Sequence, residues 1–398
     1  MTPHHRGGAA RAALALIMAL AFWLGGPPPA GRAQQPGAEA YAWQGLPEGG
    51  PVAGHILLRL PDGRLLALGG ESSPGVAGST PLVLEPARSG SPWVALPQSG
   101  DLPRSRLTDR GLLGAAAVID AAENLVLLTC DCADGRNSYF LDLANGAWRL
   151  ASQDGGPGAL WYPILAYDAA RDRAILIGGD RAGTGLLSGE VWSFDLSPAR
   201  SGWTRLGDAG WTTPLLFSAS AVGPDGALWV FSGGDALGEV QEQMWRVDLA
   251  QAGESDGWSA IPAAGGPSGR LGASLVFDPE RGTGWLYGGY RAVADIPQDQ
   301  GDIWRLVLGR DATQASWDRV TNLIGDEPQA RSGHAAAWDV AGARMVIYGG
   351  AHSTEGETAY LEDAWALASA AVPGTPTPTS TPDAPIGLRI YLPLGSKP

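Results

Sequence analysis

The chain has 398 residues, among them 58 Gly, 31 Pro and 16 Trp, with 17% charged residues and a formal charge of −14. That balance suits many short strands joined by tight turns and anchored by large apolar side chains. It argues against a nucleic-acid partner, because an acidic surface repels phosphate backbones and Lys397 is the only lysine. Two cysteines, Cys130 and Cys132, are too few for a disulfide framework.

The first 33 residues read as an export signal. His4, His5, Arg6 and Arg11 precede an apolar run over 12–24, and small residues follow around Gly31-Arg32-Ala33. The run is short for a membrane span, and no later segment offers one, so the expected location is secreted or cell-surface with no transmembrane span after cleavage. Removing residues 1–33 takes away three Arg and no acid, deepening the charge from −14 to −17.

Residues 38–372 read as one domain of repeats. Apolar runs end in glycine doublets at Gly69-Gly70, Gly178-Gly179, Gly233-Gly234, Gly288-Gly289 and Gly349-Gly350. The later doublets are spaced by 55, 55 and 61 residues, and the early gap of 109 holds a degenerate member in which Thr129-Cys130 replaces the glycines. Six repeats of this period point to an all-β, six-bladed β-propeller. Tight first-to-second turns are signalled by Pro61-Asp62-Gly63, Pro224-Asp225-Gly226 and Asp278-Pro279-Glu280-Arg281-Gly282. Third strands carry Trp192, Trp245, Trp304 and Trp365, and fourth strands begin at Trp93, Trp148, Trp203, Trp258 and Trp317. The sixth repeat lacks a fourth strand, and Tyr41-Ala42-Trp43-Gln44-Gly45-Leu46 supplies it, closing the ring from the N-terminal side.

This pattern, clearest in Arg331-Ser332-Gly333-His334 followed by 344–350 and Asp363-Ala364-Trp365, resembles the Kelch repeat. The resemblance covers about 330 residues and implies a Kelch-type propeller, an architecture shared with galactose-oxidase-like enzymes; Kelch repeats specify a fold and leave function open. The copper site of those enzymes, two His, two Tyr and a crosslinked Cys, has no identifiable counterpart here. His55 and His334 share a register on the first strands of adjacent blades, where a structural role is expected. Cys130 and Cys132, i and i+2 on a strand, lie about 6.5–7 Å apart at the outer limit for a bridge, so paired thiols or one disulfide are both open.

In an antiparallel blade the second-to-third connections share a face, and these are the long segments 71–79, 131–137, 180–189, 235–241, 290–301 and 351–362. Segments carried on a rigid scaffold are the usual home of binding, which places the site there, around the central channel. The residue after the doublet reads as acidic in four consecutive blades, Glu71, Asp131, Asp180 and Asp235, an arc that could accept sugar hydroxyls or a calcium ion, though local backbone capping is the commoner use of Asp there. Trp161-Tyr162, Trp211 and Tyr290-Arg291 are candidates to stack on a ligand. The expected function is recognition of a protein or glycan without a cofactor; the alternative is a sugar-directed propeller enzyme, an epimerase, mutarotase or copper oxidase. A Thr/Pro-rich linker over 373–385 and a short tail over 386–398 complete the chain and read as a spacer with a surface-retention element.

Overall fold

The computed structural model describes residues 39–74, 76–77, 80–88, 90–104, 112–130, 138–152, 155–181, 184–196, 202–211, 215–293, 296–354 and 357–370. The expected export signal, linker and tail lie outside the described residues. Six antiparallel sheets of four main strands form the blades of a propeller. Blade six shows why: within the strand Arg344–Tyr348, the four residues after the arginine are large, apolar and buried, because a blade's second strand is covered on both faces by its neighbours. Met345, Val346 and Ile347 are fully buried, each contributing about 1.5–3 kcal/mol. The same burial recurs at Arg173–Ile177 and Leu228–Gly234.

The ring closes as the Trp pattern requires. Ala40–Leu46 pairs antiparallel with Ala364–Ala370, Trp43 opposite Leu367, and the Trp43 ring meets Tyr287 of blade five edge-on, centroids 5.1 Å apart. The blades are also laced at their outer edges. Ser99–Gly100, Ala263–Ala264 and Leu323–Ile324, each leaving one blade, pair in parallel with the outermost strand of the next, at Ala147–Leu150, Ala315–Arg319 and Ala40–Leu46. These additions were not legible in the repeat pattern, and they cover edges that would otherwise be open.

The doublets form the seams between blades. Gly349 and Gly350 take φ of 61° and 98°, and a Cβ on Gly349 would collide with the Val52 carbonyl of blade one. The Gly350 N–H donates to that same carbonyl at 2.7 Å. Close approach and left-handed backbone together make glycine necessary. His55 and His334 fill the space beside the seams, edge-to-face with Tyr348 and Tyr287 of the preceding blade. Burial holds the His55 imidazole down to about 3, and burial, then Arg331 and His55, hold His334 well below its ordinary value. Both are neutral packing groups at physiological pH.

Blades five and six add buried guanidinium groups. Arg331 donates to the Gly349 carbonyl at 2.9 Å and to both oxygens of Asp363 at 2.6 and 2.9 Å, and Trp365 Nε1 also donates to Asp363 at 2.6 Å. Arg270 repeats this with Gly288, Asp302 and Trp304. Burial pushes the Asp302 and Asp363 carboxyls up, but hydrogen bonds from the arginine and the indole outweigh it and hold both below the usual range.

Candidate functional site

The first strands line the axis, and their turns onto the second strands are short; Asp278 caps its own turn by accepting the Glu280 and Arg281 N–H groups at 2.9 and 3.1 Å. The opposite face carries the second-to-third connections. Several of these, expected as open segments, are β-hairpins: Tyr290–Val293 pairs with Ile296–Asp299, and Ala351–Thr354 with Glu357–Tyr360. A hydrogen-bonded ladder makes them stiff supports for side chains.

At the centre of this hairpin face the entrances of the six first strands form a collar. Its members are Gly54, Gly114, Tyr162, Phe217, Gly272 and Gly333, all left-handed with φ between 52° and 66°. Tyr162 N–H donates to Gly114 O, Gly114 to Gly54, Gly54 to Gly333, Gly333 to Gly272, and Gly272 to Phe217, at 2.7–3.1 Å. The remaining step, between Tyr162 and Phe217, is made by their rings, whose centroids lie 3.9 Å apart. The Tyr162 ring extends across the collar: a Cβ on Gly114 would come within 2.9 Å of it, and one on Gly54 within 2.9 Å of its hydroxyl. Both aromatics are half-buried. A bulky residue in left-handed conformation costs about 1–3 kcal/mol, so four blades use the relaxed choice and two do not.

The structure redraws the acidic arc. The residue just past the doublet pairs with the residue just before the collar, as in Ala53 with Glu71 and Trp161 with Asp180. In blade four that partner of Leu216 is Gly234, and the left-handed pair is Ser232-Gly233, with φ of 59° and 127°. The Ser232 hydroxyl takes over the seam bond, donating to the Arg270 carbonyl at 2.9 Å, and it also accepts the Arg270 N–H at 2.7 Å. Asp235 therefore stands one residue beyond the arc. Its carboxylate accepts from Leu237 N, Glu239 N and Gln241 Nε2 at 2.9–3.0 Å, which makes it the cap of its own hairpin. In blade two Thr129 lies opposite Ala116, the column that Ile177 holds opposite Ile164. Cys130, rather than Thr129-Cys130, thus takes the first doublet position; it is disulfide-bonded, and Cys132 is the only other cysteine. Asp131 lies outside the described residues. Glu71 and Asp180 alone among the described residues keep the acidic column. Both are buried, Glu71 accepting the Tyr360 hydroxyl at 2.6 Å and Asp180 the Gly185 N–H at 2.9 Å.

The aromatic candidates separate. Trp211 sits in the core between blades three and four, its ring 5.0 Å from Trp258, because the small Gly178 leaves room for it; it is not presented to a ligand. Trp161 is half-buried beside the collar. Tyr290 is buried next to Leu271, and Arg291 Nη1 donates to Ser268 at 2.9 Å. Tyr290 pairs across its hairpin with Asp299, which residue patterns did not flag. Asp299 Oδ2 accepts the Ser353 N–H at 2.5 Å and lies 3.6 Å from His352 Nδ1, while its other oxygen is buried without a protein partner. Burial pushes this carboxyl up, against the Ser353 N–H, the neighbouring Ser332 side chain and the nearby His352; burial, then Asp299, likewise raises the Tyr290 hydroxyl. No three His, Cys, Asp or Glu side chains converge as metal donors among the described residues. Phe217 was missed as well. Its signal was a column reading Gly, Gly, Tyr, Phe, Gly, Gly at the head of each first strand.

No protein-family profile matches the chain. The fold, however, is shared. The solved structure described as "Structure of YjhT" superposes with a TM-score of 0.53 at 14% identity, over 80% of this chain and 96% of that one. A fungal alcohol oxidase of the AA5 family in complex with copper gives 0.52 and 14%, over 82% and 76%. The chain is thus an all-β six-bladed propeller that shares its fold with both of these structures. Among curated proteins it is similar to Adagio-like protein 3 of Oryza sativa subsp. japonica, 26% identical over 53% of this chain and 32% of that protein. Multiple epidermal growth factor-like domains protein 8 of Mus musculus is 27% identical over 52% and 8%. The chain spans a third or less of the length of these relatives.

Proposed function

We propose that this chain is an exported Kelch-type propeller that binds a protein or carbohydrate ligand with its hairpin face. The export reading rests on residues 1–33, and the Kelch assignment on the doublet and Trp columns. The observation that carries binding is apolar exposure: among the described residues the two most exposed large apolar side chains, Leu237 at 77% and Leu186 at 67%, stand on the hairpins of neighbouring blades three and four. Two leucines exposed on the connections of adjacent blades, on the face whose connections a rigid scaffold holds out, support a partner on that face. Glycan arrays and a displayed peptide library test this with the purified mature protein. Leu186→Glu with Leu237→Glu is expected to weaken capture about tenfold or more, while Arg64→Glu on the turn face leaves it unchanged. The reverse pattern would place the ligand on the other face.

A sugar-directed enzyme is the second reading, favoured by Asp299, whose unpaired oxygen lies in a buried cluster with Tyr290 and His352. It requires turnover that Asp299→Asn abolishes.

A further inference from the structure

Four first strands end in a buried aspartate at the turn face, and in blade two that residue is only half satisfied. In blades five and six one oxygen caps the turn: Asp278 Oδ1 accepts the Glu280 and Arg281 N–H groups, and Asp339 Oδ1 accepts the Gly342 N–H at 3.2 Å. The other oxygen takes a guanidinium, from Arg281 at 3.4 Å and from Arg344 at 2.9 Å. In blade three Asp168 Oδ2 takes two, Arg173 at 3.0 Å and Arg171 at 3.3 Å. In blade two Asp120 Oδ1 caps its turn through the Ala122 and Glu123 N–H groups at 3.1 and 3.2 Å, but Oδ2 is buried with no partner. The letters explain the difference. The cation stands three or five residues after the aspartate, at Arg171, Arg173, Arg281 and Arg344, and blade two has Glu123 and Leu125 there. Asp120 is 0% exposed, and a buried carboxylate whose cation is missing weakens a fold.

We infer that this turn of blade two is a docking site for an arginine side chain of a partner protein, whose guanidinium takes the place beside Asp120 that Arg171 and Arg173 hold beside Asp168. The other blades show the route. Arg171 and Arg281 reach their aspartates from the solvent side, with side chains 48% and 64% exposed over carboxylates that are each 4% exposed. Over Asp120 the corresponding residues 121–124 form an exposed turn, and Glu123 adds a second carboxylate where those blades place a cation. Blade three adds acid on the same side. The Tyr167 hydroxyl donates to Asp172 at 3.0 Å and is pushed up to about 12 by burial, then by Asp172, Asp120 and Asp168. Asp120 therefore lies within reach of this group, whose two arginines, Arg171 and Arg173, are both held by Asp168. A chain with a formal charge of −14 draws a basic partner toward the spot. Arginine suits it better than lysine, because a planar fork of donors matches a carboxylate oxygen with a second carboxylate beside it. This surface is separate from the hairpin face, so either can stand without the other.

The test titrates fluorescent oligo-arginine and oligo-lysine peptides of equal length into the full chain at physiological salt, with Tm recorded for each variant. The arginine peptide is expected to bind about fivefold or more tightly than the lysine peptide. Asp120→Asn keeps an oxygen to cap the turn and removes the charge, so it should weaken the arginine peptide about fivefold or more without lowering Tm. Glu123→Arg supplies the guanidinium that blades three and five carry at this place. It should weaken the arginine peptide at least as much and raise Tm, since Oδ2 is then satisfied from within the blade. Glu123 is exposed, so this variant decides the matter even where Asp120→Asn folds poorly. Asp311→Arg makes the same charge reversal on an exposed turn of blade five and should change affinity less than about twofold. Equal losses from Glu123→Arg and Asp311→Arg overturn the site, because the acidic field alone would then attract the peptide. Equal affinity for the two peptides overturns it as well, and so does undiminished binding by Asp120→Asn. Arg389→Gln in the full chain separates the sources of the guanidinium. Unchanged affinity keeps the site for a partner, whereas a rise of about fivefold or more assigns it to the chain's own tail and overturns the partner.

Discussion

Blades five and six and blades three and four solve the same assembly problem with different chemistry. In the first pair the chain entering each first strand is anchored by a buried arginine, Arg270 or Arg331, two residues before a glycine of the collar. In the second pair the same column holds Leu160 and Leu215, both buried, and the collar residue is aromatic. The acidic residue before the third-strand tryptophan persists in blade three as Glu190, yet its ion partner comes from the hairpin, Arg181 at 2.7 Å. One half is thus held by polar networks that fix the backbone. The other is held by apolar packing and carries strain and exposed leucines on the hairpin face. Where a repeat breaks its own local rule without a folding gain, the break marks the place to look for function.

The largest expected effect breaks the polar half. Arg331→Leu installs the side chain native to blades three and four, yet it should cost about 3–5 kcal/mol in chemical denaturation, because Asp363 is left without its partner. Adding Asp363→Ala should recover part of that loss, whereas the same leucine is harmless at Leu215, which faces no carboxylate partner of this kind among the described residues. The pair also sets an acid limit. The Asp363 carboxyl is held below the usual range in the fold, so its contribution is complete above the unfolded value and is lost as pH falls through the folded one. Arg331→Leu should therefore flatten the decline of stability in acid; an unaltered acid profile would remove the pair from that role.

The doublets, the Trp columns and the closure by Trp43 were legible because each follows from chain-local chemistry: turn glycine, strand periodicity, and a fourth strand missing from one repeat. The site was less legible for a reason of register. A doublet can be read from letters only when both letters are glycine, and in blade four Ser232 does a glycine's work through its hydroxyl, which shifts Asp235 out of the column it resembles. Trp211 looked like a ring at a strand head, but tertiary packing against Trp258 absorbs it. The pairing of Asp299 with Ser353 joins residues 54 apart, and no local pattern encodes it.

A smaller effect measures what the collar tolerates. At Gly333 a Cβ would meet nothing closer than 3.7 Å, so the cost of Gly333→Ala comes almost wholly from its φ of 61°. A loss of about 1 kcal/mol is expected. It calibrates the strain carried by Tyr162 and Phe217. A loss several times larger would mean that the collar resists any side chain, and that the two aromatics are compensated by contacts peculiar to blades three and four.

The smallest effect concerns Asp299, whose second carboxylate oxygen is buried without a protein partner. Its folded pKa is raised, so the folded protein holds the proton more tightly than the unfolded chain does. Stability from that group is fully present at low pH and is lost as pH rises through the unfolded and then the folded value. Asp299→Asn keeps an oxygen to accept the Ser353 N–H and never ionises. It should therefore be more stable than the parent near pH 7, by on the order of 1 kcal/mol or less, with the advantage shrinking as pH falls below the carboxylate range. Thermal melts of both proteins between pH 4 and pH 8 measure the difference directly. A difference constant across that range would mean that the buried oxygen is already satisfied, and Asp299 would then stop being an exception within blades five and six.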